Sequence, residues 1–228
     1  MMPIALLAIY GLVFGIVLQV RWPSLPNGVP VGFVVPFFCG LSVFLFFSDV
    51  ASSSANIFSS KRNFVKKSPF PLWVLWLANY LRACIQGGAY LLIALIAAGV
   101  TNLLSIPGLI YAAIAVIGIL IFCAAMSLLL ASIGPFLGDV GEAVRLILRV
   151  MFYGAPVTYP LSLVPAAWQF ILWLNPLTHM IEPLRDAVIY GKLTVPWQFL
   201  GFTVFAACVL AASWWLFMRV SKAIPDVV

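Results

Sequence analysis

The sequence predicts an all-α integral membrane protein: six transmembrane helices with a re-entrant helical hairpin between spans 5 and 6 on the extracytoplasmic side. Three observations predict it. Of the 228 residues, 64% are hydrophobic and only 8% charged, with a mean hydropathy of +1.16. Apolar runs long enough to cross a bilayer recur along the whole chain, and the lysines and arginines gather on one side of them. A soluble domain carries about 25% charged residues, so the charge here is too sparse to clothe a water-exposed surface.

Backbone amides in hydrocarbon must bond within their own segment, so a core about 30 Å thick needs roughly 20 mostly apolar residues per helix. Residues 3–20, 31–51, 72–100, 108–133 and 197–218 meet that demand, each bounded by charge, proline, glycine or a polar cluster. The first run lacks a basic leader and a small-residue cleavage site before Arg21, so it reads as a retained span, not a signal peptide. Residues 140–159 form the fifth span, with Glu142, Arg145 and Arg149 held in its entry turns. The next run is too short to cross and breaks at Asn175 and Pro176; a second short piece carries His179, Glu182, Arg185 and Asp186. Two half-length helices joined at Asn-Pro make the hairpin, residues 161–190. The whole chain, 1–228, reads as one membrane domain.

With the N-terminus inside, the inner side holds Lys61, Arg62, Lys66, Lys67, Arg145, Arg149, Arg219 and Lys222, against Arg21, Arg185 and Lys192 outside: eight against three. Both termini are then cytoplasmic. Arg82 falls well inside the third span, where a charge is costly and is expected to face the protein interior. The net charge of +6 is explained by this bias and not by nucleic acid, because the basic residues flank apolar segments. Cys39, Cys84, Cys123 and Cys208 lie in apolar runs and read as small buried side chains, with neither a disulfide frame nor metal-ligand spacing.

Catalysis finds little support in one histidine and six scattered acidic residues. No GxxxxGK[ST] loop exists to cradle phosphates, so no nucleotide cofactor is assigned to this chain. A membrane-embedded transferase would show His, Asp or Glu clustered at one membrane face. A secondary transporter would place ionisable groups near the midplane, and only Arg82 and Asp49 come near that description.

Four groups of residues carry candidate function. Residues 52–71 alternate a basic face with Ile57, Phe58, Phe64 and Val65; the segment is either a partner-binding amphipathic helix or an anchor that fixes topology. Arg145 and Arg149, four apart, share a helical face near the inner leaflet, where they suit a lipid-phosphate headgroup or positive-inside anchoring alike. Phe152, Tyr153, Tyr159, Trp168 and Trp173 could stack on sugar rings or form an interfacial belt. Glu182, Arg185 and Asp186 can neutralise one another on the hairpin, either fixing it or gating an outer mouth; His179 reads as a wet interfacial residue.

A resemblance adds to this reading. Asn63-Phe64-Val65-Lys66-Lys67 with Pro69-Phe70-Pro71, then Phe136-Leu137-Gly138-Asp139-Val140, Ala155-Pro156-Val157-Thr158-Tyr159-Pro160, Val164-Pro165, Asn175-Pro176-Leu177 and Arg185, in this order, resemble the ABC-2 type transport permeases, above all the exporters of polysaccharide, O-antigen and lipid-linked glycans. The resemblance implies a permease subunit in the inner membrane of a bacterium. It would work as a homodimer with two ATP-binding cassette subunits that hold the ATP and Mg, and would move a glycan or its lipid carrier. A drug or lipid cargo is the rival within the family. Ser60, Lys61, Arg62, Asn63, Phe64, Lys66, Lys67, Asp139 and Glu142 would then couple to the ATPase, and Pro156, Pro160, Asn175, Pro176, Glu182, Arg185 and Asp186 would shape the outer hairpin. The chain departs from the family pattern twice: it enters the membrane without the usual amphipathic lead segment, and Gly138 stands where many glycan exporters carry an arginine.

Overall fold

The computed structural model describes residues 22–25, 28, 30–67, 71–193 and 195–227, so the first expected span, 3–20, lies outside the described residues. Every regular element among the described residues is helical. They are α1 (Val34–Ala55), α2 (Ile57–Ser60), α3 (Arg62–Lys67), α4 (Leu72–Val100), α5 (Ile106–Ile133), α6 (Val140–Tyr153), α7 (Ala166–Leu174), α8 (Pro176–Tyr190), α9 (Pro196–Val220) and α10 (Ile224–Val227). Short 3-10 turns stand at Gly134–Phe136 and Leu161–Leu163.

Four of these helices, α1, α4, α5 and α9, are long and apolar enough to cross a membrane. The expected fifth span is shorter than the sequence suggests: α6 has 14 residues, about 21 Å at 1.5 Å per residue. Pro156 cannot donate to a helical ladder and disfavours helix at the residue before it. The chain therefore leaves the helix after Tyr153, and Ala155, Pro156, Val157 and Thr158 run as irregular backbone buried inside the protein. Irregular backbone at membrane depth needs such protein cover.

The core is built on α1 and α5, with α4 against α1, α9 against α5, and α8 wedged between α1 and α5. Alanines do much of the close packing: Ala83, Ala94, Ala98, Ala115 and Ala206 are fully buried. Small side chains let helices approach where lipid is as apolar as the helices themselves. The outward faces of α4, α5 and α9 carry Ile85, Leu92, Ile110, Ile117, Leu200 and Phe205, all exposed. Cys39 and Cys123 are buried as expected, but Cys84 is half-buried and Cys208 exposed, because α9 turns that side of its surface away from the core.

Inside the bundle the few polar groups find each other. Ser54 and Ser127 meet at 2.8 Å, and the indole of Trp76 donates to the Ser127 hydroxyl at 2.9 Å, so α1, α4 and α5 are tied at one level. The Tyr80 hydroxyl donates to the Leu120 carbonyl at 2.7 Å. A polar group without a partner in this surrounding would cost about 1–3 kcal/mol, and pairing avoids it.

Candidate functional site

The basic segment is folded, not loose. After α1 the chain breaks at Asn56 and makes α2 and α3, whose Ile57, Phe58 and Val65 are buried against Trp76, Leu128, Ala131, Phe217 and Ile224. Phe58 stacks on Phe217 with ring centroids 6.3 Å apart. Of the apolar residues in this segment, Ile57, Phe58 and Val65 are therefore docked on the chain's own core. Ser60, Lys61, Arg62 and Lys66 face outward, while the side chains of Asn63, Phe64 and Lys67 lie outside the described set.

The turn Gly134–Phe136 lies against α2, because Gly134 meets the Ala55 carbonyl so closely that any β-carbon would collide. Gly141 likewise leaves no room between α6 and the Asn56 side chain. This contact brings the exposed Phe136, Leu137, Asp139 and Glu142 to the same end of the bundle as the basic segment. The two sequence-separated halves of the candidate coupling surface are thus neighbours.

Along α6, Val140, Val144 and Leu148 are buried at helical spacing, leaving Arg145 and Arg149 exposed on the other side. Arg145 reaches Glu142 at 3.8 Å, a surface pair of little energetic weight. The aromatics separate into groups. Phe152 meets Phe44 at a tilt and Tyr153 edge-on, at centroid distances of 4.7 and 5.4 Å, and the Tyr159 hydroxyl donates to the Tyr153 carbonyl at 3.2 Å. Trp168 is exposed on α7. Trp173 instead turns toward α9: His179 lies between Trp173 and Phe202, and its Nε2 is 2.8 Å from the Trp173 carbonyl. His179 is half-buried between these rings and lines the cleft beside them.

The helices α7 and α8 are divided where the sequence places the break. Asn175 caps α8 by accepting from the Leu177 amide at 3.1 Å and donates to the Met151 carbonyl at 3.0 Å, tying the start of α8 to the end of α6. Pro176 occupies the first turn of α8, where its missing donor costs nothing, and Pro160 precedes the turn Leu161–Leu163. Gly191, at φ +64°, ends α8 in the left-handed conformation that glycine tolerates.

Arg185 is the centre of this region and is only 2% exposed. Its guanidinium donates to the carbonyls of Pro36 (3.2 Å), Pro156 (2.7 Å) and Val157 (3.3 Å), and to the Glu182 carboxylate one turn back on α8. Its face lies 4.4 Å over the Trp22 ring. Burial pushes the Glu182 carboxyl above its usual range, and the Arg185 charge opposes that rise. Asp186 and Glu182 line a small cleft with Trp173, His179 and Gln198. Sequence reasoning singled out Arg185 but missed Gly40, where a β-carbon would stand 2.9 Å from the Arg185 Nη2 and from the Val157 carbonyl.

Arg82 does not face the interior. It is half exposed on α4 and reaches Asp49 of α1 at 3.3 Å. A profile of the ABC-2 type transporter family matches residues 1–189, which is most of the chain. The chain belongs to the ABC-2 type transporter family. Among curated ABC-2 relatives, the O-antigen export system permease protein RfbA of Klebsiella pneumoniae is 26% identical over 218 residues, covering 91% of this chain and 77% of that protein. The polysialic acid transport protein KpsM of Escherichia coli is 22% identical over 184 residues, covering 80% and 69%. The ABC-2 assignment and the four long apolar helices make this a multi-pass membrane transporter chain.

Proposed function

We propose that this chain is the membrane-spanning permease subunit of an exporter that moves polysaccharide or a lipid-linked glycan outward across the cytoplasmic membrane. The observation that carries the reading is the similarity, over most of both chains, to permeases named for O-antigen and polysialic acid transport. In this reading residues 3–20 supply the first span, α6 with the irregular stretch 154–160 supplies the fifth, and α7 and α8 form a re-entrant hairpin on the outer side. Both termini are cytoplasmic, as the lysine and arginine bias supports.

Two copies enclose the path, and the exposed side of α6, with Arg145, Leu146, Arg149, Val150 and Tyr153, is suited to that seam. ATP and Mg belong to two separate ATPase subunits, which grip the basic face of α2 and α3 together with Phe136, Leu137, Asp139 and Glu142. Because α2 is docked on Phe217 and Leu128, displacing it moves the inner ends of α5 and α9 with it. Arg145 and Arg149 meet the carrier phosphate at the inner leaflet, and the aromatics around Phe152, Tyr153 and Tyr159 give sugar rings flat surfaces on which to slide.

The test is reconstitution of the chain with its ATPase in vesicles supplied with lipid-linked glycan. ATP-dependent appearance of glycan on the far side is expected. Translocation at the same rate without ATP would overturn the reading.

A further inference from the structure

The polar residues of α1 and α4 form a stripe that neither the coupling surface nor the hairpin uses. On α4, Asn79, Arg82, Gln86 and Tyr90 recur at three- and four-residue spacing and so share one side of the helix. They are linked: Arg82 donates to Gln86 Oε1 at 3.2 Å, and Gln86 donates to the Tyr90 hydroxyl at 2.8 Å. On α1, Ser48, Asp49, Ser52 and Ser53 recur likewise, all partly exposed. Two bridges join the rows, Asn79 to the Ser53 hydroxyl at 3.0 Å and Arg82 to Asp49 at 3.3 Å. Asp49 Oδ2 is within 3.3 Å of the same guanidinium nitrogen yet is buried and makes no aligned hydrogen bond, so it keeps an unused lone pair.

The depth of this stripe makes it unusual. Trp76 marks the level where α1 ends, since both Trp76 and Ser54 meet Ser127. From there Gln86 lies ten residues further along, about 15 Å, half the thickness of a hydrocarbon core. Arg82 and Gln86 are exposed at that depth. Lipid contacts are instead provided by the neighbouring side of α4, where Leu81, Ile85, Leu92 and Ile96 are exposed. A guanidinium and an amide uncovered at mid-membrane face water or protein, not acyl chains.

We propose that this stripe is a wetted wall of the transport path, a hydrogen-bonding track for a polyhydroxylated chain. The inference rests on the glycan reading above and names where in this chain the sugar is handled. Amide, hydroxyl and phenol groups along Asn79, Ser53, Gln86 and Tyr90 can both donate to and accept from sugar hydroxyls. The Asp49–Arg82 pair adds no net charge, so the wall holds neither a cationic nor an anionic trap that would arrest a sliding polymer. The track starts at the basic end, where the ATPase would sit, and climbs past the midplane.

Two measurements on the complete complex with its ATPase test this. In a Cys84→Ala/Cys208→Ala background, Gln86→Cys and Ile85→Cys are treated in intact vesicles with a membrane-impermeant thiosulfonate. The Gln86→Cys thiol is expected to label and the Ile85→Cys thiol not to. Failure of Gln86→Cys to label, or a disulfide between its two copies that makes the stripe a subunit seam, would overturn the proposal. In the second measurement, Gln86→Leu/Tyr90→Phe, at an unchanged level of protein in the membrane, should lower glycan export by about fivefold or more, the worth of one net hydrogen bond. Undiminished export by that variant would overturn the stripe, whereas absence of ATP-dependent export by the wild-type complex would instead sink the functional reading on which it stands.

Discussion

Replacing Arg185 with glutamine should destabilise the protein by about 3–5 kcal/mol. The substitution strips the Pro36, Pro156 and Val157 carbonyls of a charged donor and leaves Glu182 without its counter-ion. Removing one partner of a buried pair costs about 3–5 kcal/mol, and the lower end applies because the Glu182 side chain keeps 18% of its exposure. Loss of the contact with the buried Trp22 ring adds to this by up to about 2 kcal/mol. Glu182→Gln should cost less, about 1 kcal/mol, since the arginine keeps its carbonyls and burial already disfavours the carboxylate. Detergent-mixture unfolding followed by tryptophan fluorescence gives the four free energies of the double-mutant cycle. The double variant should fall short of the sum by at least about 1 kcal/mol. A single Arg185→Gln within about 0.5 kcal/mol of wild type, or strict additivity, would refute the idea that this cluster holds α8 to α1 and to the stretch after α6.

Gly40→Ala should cost about 1–3 kcal/mol in the same assay, because its β-carbon meets Arg185 Nη2 and the Val157 carbonyl, while Gly88→Ala, with nothing within 4 Å, should be neutral or mildly stabilising. Ser127→Ala should cost about 1–3 kcal/mol by stranding the Trp76 indole and the Ser54 hydroxyl, and Trp76→Phe in the same chain should recover part of that loss. Asn175→Ala removes the cap of α8 and the tie to Met151, for about 1 kcal/mol and an earlier cleavage of the 161–175 stretch in limited proteolysis. Charge reversal at Lys66 and Lys67 should leave membrane insertion intact and break the coupling between ATP hydrolysis and transport in vesicles; unaltered transport would reduce the segment to a topological anchor.

The long helices were legible because length and apolarity are local properties, and nothing in the tertiary fold can make α4 or α5 other than helical in lipid. The break at Asn175 and Pro176 was legible for the same reason. The end of α6 is not legible, because the apolar run through Val157 hides the effect of Gly154 and Pro156, which end the helix at Tyr153. Arg185 drew attention by type alone. Its pairing with Glu182 is legible from their spacing of three, but its other partners are not, since they are backbone carbonyls 149, 29 and 28 residues away that carry no side-chain signature. Arg82 was expected inside on the general cost of burying charge in lipid, and lies instead on a partly open side because Asp49 neutralises it there. The basic segment's amphipathic pattern was plain, but periodicity cannot say whether the apolar half meets another protein or, as here, the chain's own Phe217 and Leu128.

That docking has a kinetic consequence. In the proposed reading, a subunit arriving at Lys61, Arg62 and Lys66 would meet a surface already ordered, so recognition would involve little loss of backbone freedom and need no folding step before the complex forms. Encounter should then be governed by long-range attraction to an exposed cluster of positive charge. The association rate should fall with added salt while the lifetime of the bound state changes much less.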